Sequence, residues 1–213
     1  MTERTRIRRL PKKAVDEFAV LCAILDSALI AHVAIIDSGQ PYALPIACAR
    51  DGDRLLLHGS NASRLFKTLV AGAPCCATVT LLDGMVLARS AFESSMHYRS
   101  AMILGKVEEL TGSKKRRALD VITEHLLPGR LAELRGSTER ELKAASVVAL
   151  PLLEFSVKVS SGEPDDPPDD LASPIWAGIV PMTHEWGEPR AAANLAPGIQ
   201  PPAYLAQWPK GRA

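Results

Sequence analysis

The most informative stretch of this chain is Leu55-Leu56-Leu57-His58-Gly59-Ser60-Asn61-Ala62-Ser63-Arg64-Leu65-Phe66-Lys67. An apolar strand ends at His58, a short polar loop follows, and a helix begins. Ser60, Asn61 and Ser63 are residue types that cap a helix start. The first helical amides lack internal partners and carry the positive end of the helix dipole, which suits a phosphate. Arg64 adds a bidentate donor and Lys67 a point charge. Gly59 lets a ligand approach the backbone. The same pattern also describes an ordinary capped helix with no ligand. A lone histidine closing an apolar strand, as His58 does, is commonly structural.

Working upstream, residues 16–25 place Phe18, Leu21, Cys22 and Leu25 on one helical face. Residues 28–36 are continuously apolar, a buried strand. Asp37-Ser38-Gly39-Gln40 turns the chain, residues 42–50 return as a second strand, and Asp51-Gly52-Asp53 leads into a third at residues 54–58. Downstream, residues 64–71 form a helix stopped by Gly72 and Pro74. Strands are predicted at residues 75–82 and 85–92, split by a turn at Asp83-Gly84, and at residues 98–110, with Gly105 as a bulge or kink. Residues 114–127 are a helix whose basic first turn opposes its dipole. Residues 139–144 are one more helical turn. Residues 146–158 are a final strand or pair interrupted at Pro151. This order predicts a mainly β (α+β) fold: an antiparallel sheet of six or seven strands, flanked by helices and curled into a barrel.

The chain has 213 residues, 47% hydrophobic and 23% charged, with a formal charge of +1. That is one globular domain with additions. The charge balance argues against a dedicated nucleic-acid binder. Cys22, Cys48, Cys75 and Cys76 form no C-x-x-C pair and read as small buried residues of a reducing cytosol. The basic N-terminus precedes no signal-type apolar segment. The apolar stretch 18–36 is interrupted by Asp26 and His32, so no membrane span is expected. Most of the 16 prolines fall late in the chain. Glu163-Pro164-Asp165-Asp166-Pro167-Pro168-Asp169-Asp170 is an acidic loop without the spacing of a calcium loop. The tail from Gly187, with Pro197, Pro201, Pro202 and Pro209, is irregular. The other histidines, His32, His97, His125 and His184, show no metal-ligand spacing with His58. No G-x-S-x-G, H-E-x-x-H or Walker lysine is present.

Four short motifs in order complete the pattern: Tyr42-Ala43-Leu44-Pro45-Ile46, His58-Gly59-Ser60 with Ser63-Arg64, Tyr98-Arg99-Ser100 with Gly105, and Trp176-Ala177-Gly178-Ile179-Val180-Pro181. With them the chain resembles the pyridoxamine 5'-phosphate oxidase-like FMN-binding split-barrel proteins, in particular the nitroimidazole-resistance branch. The resemblance implies an FMN-binding domain over residues 1–183 and a Pro-rich extension over 184–213. It implies a cytoplasmic homodimer with flavin at the interface, acting on a small molecule as an oxidoreductase, without nucleic-acid or membrane partners. Arg64 matches the family's phosphate arginine, with Ser60, Asn61 and Ser63 beside it. Pro45, Ile46, Ala47 and Cys48 would run along the flavin ring. Tyr98, Arg99 and Ser100 would line the cleft, partly from the second subunit, and Trp176 and Pro181 would cover it. His58 matches a position near the ligand, and His58 or Tyr98 is the candidate for proton transfer. Many relatives carry lysine after the phosphate arginine. Leu65 stands there instead, leaving Lys67 or Arg99 to supply that charge. A flavin module without turnover, or the same barrel holding haem or a deazaflavin, is the alternative.

Overall fold

A computed structural model describes residues 2–208; Met1 and residues 209–213, including Pro209 of the predicted tail, lie outside the described residues. In chain order the elements are β1 (Ala14–Val15), α1 (Phe18–Ser27), β2 (Ile30–Asp37), β3 (Gln40–Asp51), β4 (Arg54–Ser60), α2 (Arg64–Val70), β5 (Cys75–Leu87), β6 (Ser95–Gly105) and β7 (Glu108–Glu109). There follow α3 (Gly112–Leu126), α4 (Glu139–Ala144), β8 (Ala145–Pro151), β9 (Glu154–Ser160) and β10 (Gly178–Pro181). The strands form one antiparallel sheet in the order β1-β9-β6-β5-β2-β3-β4-β8-β7, with β10 added beside β5. The sheet curls but does not close: its outermost strands, β1 and β7, have two residues each and pair only inward. None of the described helices is long and apolar enough to cross a membrane.

Alternation along the strands makes an inner and an outer face. The inner face carries Val33 and Ile35 of β2, Leu55 and Leu57 of β4, Val79 and Leu81 of β5, and Val148 and Leu150 of β8. Leu21, Ile24 and Leu25 of α1 and Leu65, Phe66 and Leu69 of α2 complete this core. Each such side chain, once buried, contributes about 1.5–3 kcal/mol. A second, smaller core lies on the outer face, where Ala118 and Ile122 of α3 cover Ala49, Leu56, Val147 and Ala149. The outer face of β2, β5 and β6 has no helix over it in this way. There Ile30 and Ile36 remain 50% and 67% exposed.

Several expectations are corrected. Asp83-Gly84 is not a turn: β5 continues through it, with a register shift between Leu82 and Gly84. The reversal comes later, where Ser94 Oγ accepts from Ala88 N at 3.0 Å and donates to Ser90 O at 2.8 Å. Gly84 serves close approach instead. A Cβ there would lie 2.7 Å from the Val180 carbonyl oxygen, so glycine lets β10 dock. Gly105 is likewise no bulge. It ends β6 in regular register with Cys75, and a Cβ would sit 3.0 Å from Leu150 Cδ1. The strand pair after Ala144 does not form a hairpin ladder of its own. β8 joins β4 and β9 joins β6, on opposite sides of the sheet.

The acidic loop is a strap. Asp166 accepts from the Arg89 backbone N–H at 2.7 Å and from Arg89 Nη1 at 2.8 Å, and its carboxylate is nearly fully buried. The tail returns to the end of α3, where Trp208 Nε1 donates to Pro128 O at 2.9 Å and Tyr204 Oη donates to Glu133 at 3.0 Å.

Candidate functional site

The strand ladder opens between β3 and β4. Residues 48–51 of β3 pair with residues 54–57 of β4, but residues 40–47 pair only with β2. Beyond Leu57, His58, Gly59 and Ser60 pair only with β8. The two strands therefore part, leaving one backbone edge of Pro45, Ile46 and Ala47 unpaired with β4. This edge is where backbone groups are free to meet a ligand. Cys48 at the fork donates its N–H to Leu29 O at 3.1 Å, and its side chain is buried.

His58 stands on the β4 lip of the split. Its direct partner is Val147, which belongs to the outer-face core, so the imidazole points to the outer face. The ring is half-buried, forms no hydrogen bond among the described residues, and burial lowers its pKa below the ordinary histidine value. It is therefore a neutral imidazole near pH 7. His32, paired with Pro45 and Thr78, projects from the same face but is exposed, with no side-chain hydrogen bond among the described residues.

Beyond His58 the chain enters the polar elbow. Gly59 allows Phe66 to cross beneath it: a Cβ would lie 2.3 Å from the Phe66 ring. Ser60 Oγ accepts from Ala62 N at 3.2 Å, and Ser63 Oγ caps α2 by accepting from Phe66 N at 3.3 Å. Asn61 has a different task. Its N–H donates to Ala144 O at 3.1 Å and its Nδ2 to Lys143 O at 2.7 Å. These are terminal carbonyls of α4, which lack intrahelical partners. Asn61→Ala, which loses the Nδ2 bond but keeps the backbone one, is expected to lower the melting temperature by a few degrees, about 0.5–1.5 kcal/mol, without changing ligand affinity. Thermal melts beside a flavin titration check this; equal stability with weaker binding would return Asn61 to the ligand.

The cations Arg64 and Lys67 lie on the exposed surface of the elbow. Arg64 and Lys67 begin α2 on its exposed side. Arg64 Cζ lies 4.5 Å from the centre of the Tyr42 ring, and Nε is 3.5 Å from Asp37 Oδ2. Lys67 has no ion pair among the described residues. Because α2 has only seven residues, its dipole is short, and any anion binding there would rest on these two side chains. The Leu65 side chain is in the core, 2% exposed, and offers a ligand only its backbone. Tyr42 and Asp37 were not foreseen as Arg64's partners. Their signal was the β2–β3 turn, which brings both beside α2.

The remaining predicted residues lie elsewhere on the sheet. Tyr98 pairs with Leu82 and Ser160, and the Lys13 ammonium lies 5.9 Å from its ring centre. Arg99 is held by Asp83 in two hydrogen bonds, at 2.9 and 2.7 Å, which keep its guanidinium firmly charged. Ser100 Oγ donates to Lys158 O at 3.4 Å. Trp176 is 65% exposed and folds against Gly178, and Pro181 pairs with Gly84. Arg64 contacts Asp37 at one end of β2, three residues beyond Ala34, which pairs with Cys76 of β5. Tyr98 pairs six residues further along β5 in the opposite direction. The two are thus separated by about 30 Å of strand path. Arg99 is too remote to replace the missing lysine in its own chain; Lys67 is adjacent.

An open, curled antiparallel sheet with a split beside a basic elbow defines the split-barrel class. The chain belongs to the pyridoxamine 5'-phosphate oxidase family, whose profile matches residues 19–159. It is similar to the FAD and haem binding protein from Mycobacterium smegmatis, at 41% identity and a TM-score of 0.90, over 94% of this chain and 100% of that one. It is also similar to the flavocytochrome Anf3 from Azotobacter vinelandii, at 35% identity and a TM-score of 0.91, over 97% and 96% of the two chains. A protein described as a 5-nitroimidazole antibiotic resistance protein, from Bacteroides thetaiotaomicron, aligns at 26% identity and a TM-score of 0.58, over 68% and 86%. No curated protein sequence matches significantly.

Proposed function

We propose that this protein is a redox flavoprotein that holds its flavin in the split between β3 and β4. The observation that carries this is the split itself, with a free backbone edge on the β3 lip and Arg64 with Lys67 beyond the β4 lip. The two cations bind the phosphate, the edge of Pro45 to Ala47 hydrogen-bonds the polar rim of the ring, and the apolar outer face seats it. The resemblance in sequence implied FMN. The two relatives aligned over nearly their whole length are named for FAD or as a flavocytochrome, which favours the dinucleotide. Flavin supplies hydride and electron transfer when bound. Pyridine nucleotide reduction followed by reoxidation separates an oxidoreductase from a binding module.

The separation of Tyr98 and Trp176 from Arg64 supports a symmetric dimer. Within one chain about 30 Å of strand path separates Tyr98 from Arg64, more than the span from phosphate to ring in either flavin nucleotide, so the partner's Tyr98 would complete the site. The uncovered outer face with Ile30 and Ile36 is the apolar surface such a pairing would bury. A solution mass of twice one chain is expected; a monomer that still binds flavin would overturn the shared site.

His58 favours a second component, haem. A half-buried imidazole with no hydrogen bond among the described residues, its pKa lowered by burial, would be able to hold haem iron, and both full-length relatives are named for haem or as a flavocytochrome. The absorption spectrum of the protein as purified tests both groups at once. Flavin bands with a Soret band support the full reading. A colourless protein that takes up neither FAD nor FMN on titration would overturn it.

A further inference from the structure

The β2–β3 turn brings a carboxylate to the basic elbow. Asp37 ends β2 and is followed by Ser38 and Gly39, both at positive φ. Ser38 Oγ donates to Asp37 Oδ1 at 3.3 Å, while Oδ2 lies 3.5 Å from Arg64 Nε. On the returning strand, Tyr42 sets its ring centre 4.5 Å from Arg64 Cζ. The hairpin therefore holds the guanidinium by one edge and one face. Its Nη groups make no hydrogen bond among the described residues.

Charge at the elbow is thus unevenly spread. Arg64 is half-compensated by Asp37, whereas Lys67, at the i+3 spacing of surface neighbours on α2, has no ion pair among the described residues. Such a pair suits two singly charged groups side by side better than one doubly charged group. The flavin nucleotides differ in this respect. The phosphate of FMN is a monoester and carries about 1.5 to 2 negative charges at pH 7. Each phosphate in the pyrophosphate bridge of FAD carries a single charge. A carboxylate beside Arg64 repels any phosphate, and it repels the doubly charged monoester more.

We propose, on the reading of the split as a flavin site, that Asp37 is the specificity residue of the elbow. It fits Arg64 and Lys67 to the pyrophosphate of FAD and disfavours the terminal phosphate of FMN, while Tyr42 keeps the guanidinium in place for that selection. The discrimination comes from charge and not from shape, so salt weakens it.

The test is fluorescence titration of the full-length protein, freed of bound flavin, with FAD, FMN and riboflavin. FAD also gains from its adenylate half, so the change in the FAD-to-FMN ratio is what reads Asp37. In Asp37→Asn, FMN affinity is expected to rise about three- to tenfold relative to FAD, the effect of one further unit charge near a partly exposed carboxylate. Riboflavin affinity stays the same, and Asp37→Glu keeps the native ratio. In the native protein, salt at about 1 M narrows the gap between the two nucleotides. A ratio unchanged in Asp37→Asn overturns the proposal. So does a native ratio indifferent to salt, a measurement that needs no variant to fold. Arg64→Ala separates the two readings. Selective loss of both nucleotides there, with no change of ratio in Asp37→Asn, removes only the role of Asp37. Unchanged nucleotide affinity in Arg64→Ala takes the phosphate away from the elbow and removes both.

Discussion

Arg64→Ala is expected to bind FAD and FMN about 10–100-fold more weakly than the native protein and riboflavin unchanged. The charged hydrogen bonds lost are worth about 1.5–3 kcal/mol, which is that range in affinity. The larger end is expected, because Asp37 then faces the phosphate without its 3.5 Å partner. Riboflavin lacks phosphate and so reports the ring contacts alone. Stability should hardly move: the Arg64 side chain is 56% exposed, and such surface substitutions stay within about 0.5 kcal/mol. Arg64→Lys should recover part of the affinity, since it keeps the charge but loses the planar fork and its stack on Tyr42. Fluorescence titration with the three flavins measures this. Equal FAD affinity in native and Arg64→Ala proteins would move the phosphate elsewhere.

His58→Ala is expected to lose haem altogether while retaining flavin. Five histidines are present, but their surroundings separate them. His97 Nε2 is hydrogen-bonded to Gly162 O at 2.9 Å and His125 Nε2 to Ala28 O at 2.7 Å. His32 and His184 are exposed. His58 is half-buried, forms no hydrogen bond among the described residues, and burial lowers its pKa, which favours the unprotonated ring a metal ligand needs. Haem content relative to protein, in His58→Ala and in His32→Ala as the control, is the measurement. Retention in His58→Ala with loss in His32→Ala would transfer the ligand to β2. The same variant addresses the proton-transfer role suggested for His58, because flavin turnover can be followed after haem is gone.

The elbow was legible because its signals are local. An apolar run ending at His58, capping residues, and cations in the first helical turn need only their immediate neighbours. Ser63 caps α2, and Arg64 and Lys67 are exposed, as their positions predict. The bonds of Asn61 to Lys143 and Ala144 had no local signal, because those partners are far away in the sequence. Asp83-Gly84 has turn chemistry, yet the approach of β10 makes it a bulge.

By itself the sequence determined the element types, the antiparallel character of the sheet and the basic elbow, since alternation, turn residues and helix caps act over a few residues. Only the tertiary structure decided which strands part between Ala47 and His58 and how far Tyr98 stands from Arg64. These depend on register and on pairing between distant strands. A shift of one residue would turn every side chain of a strand to the other face, and no local signal carries that choice.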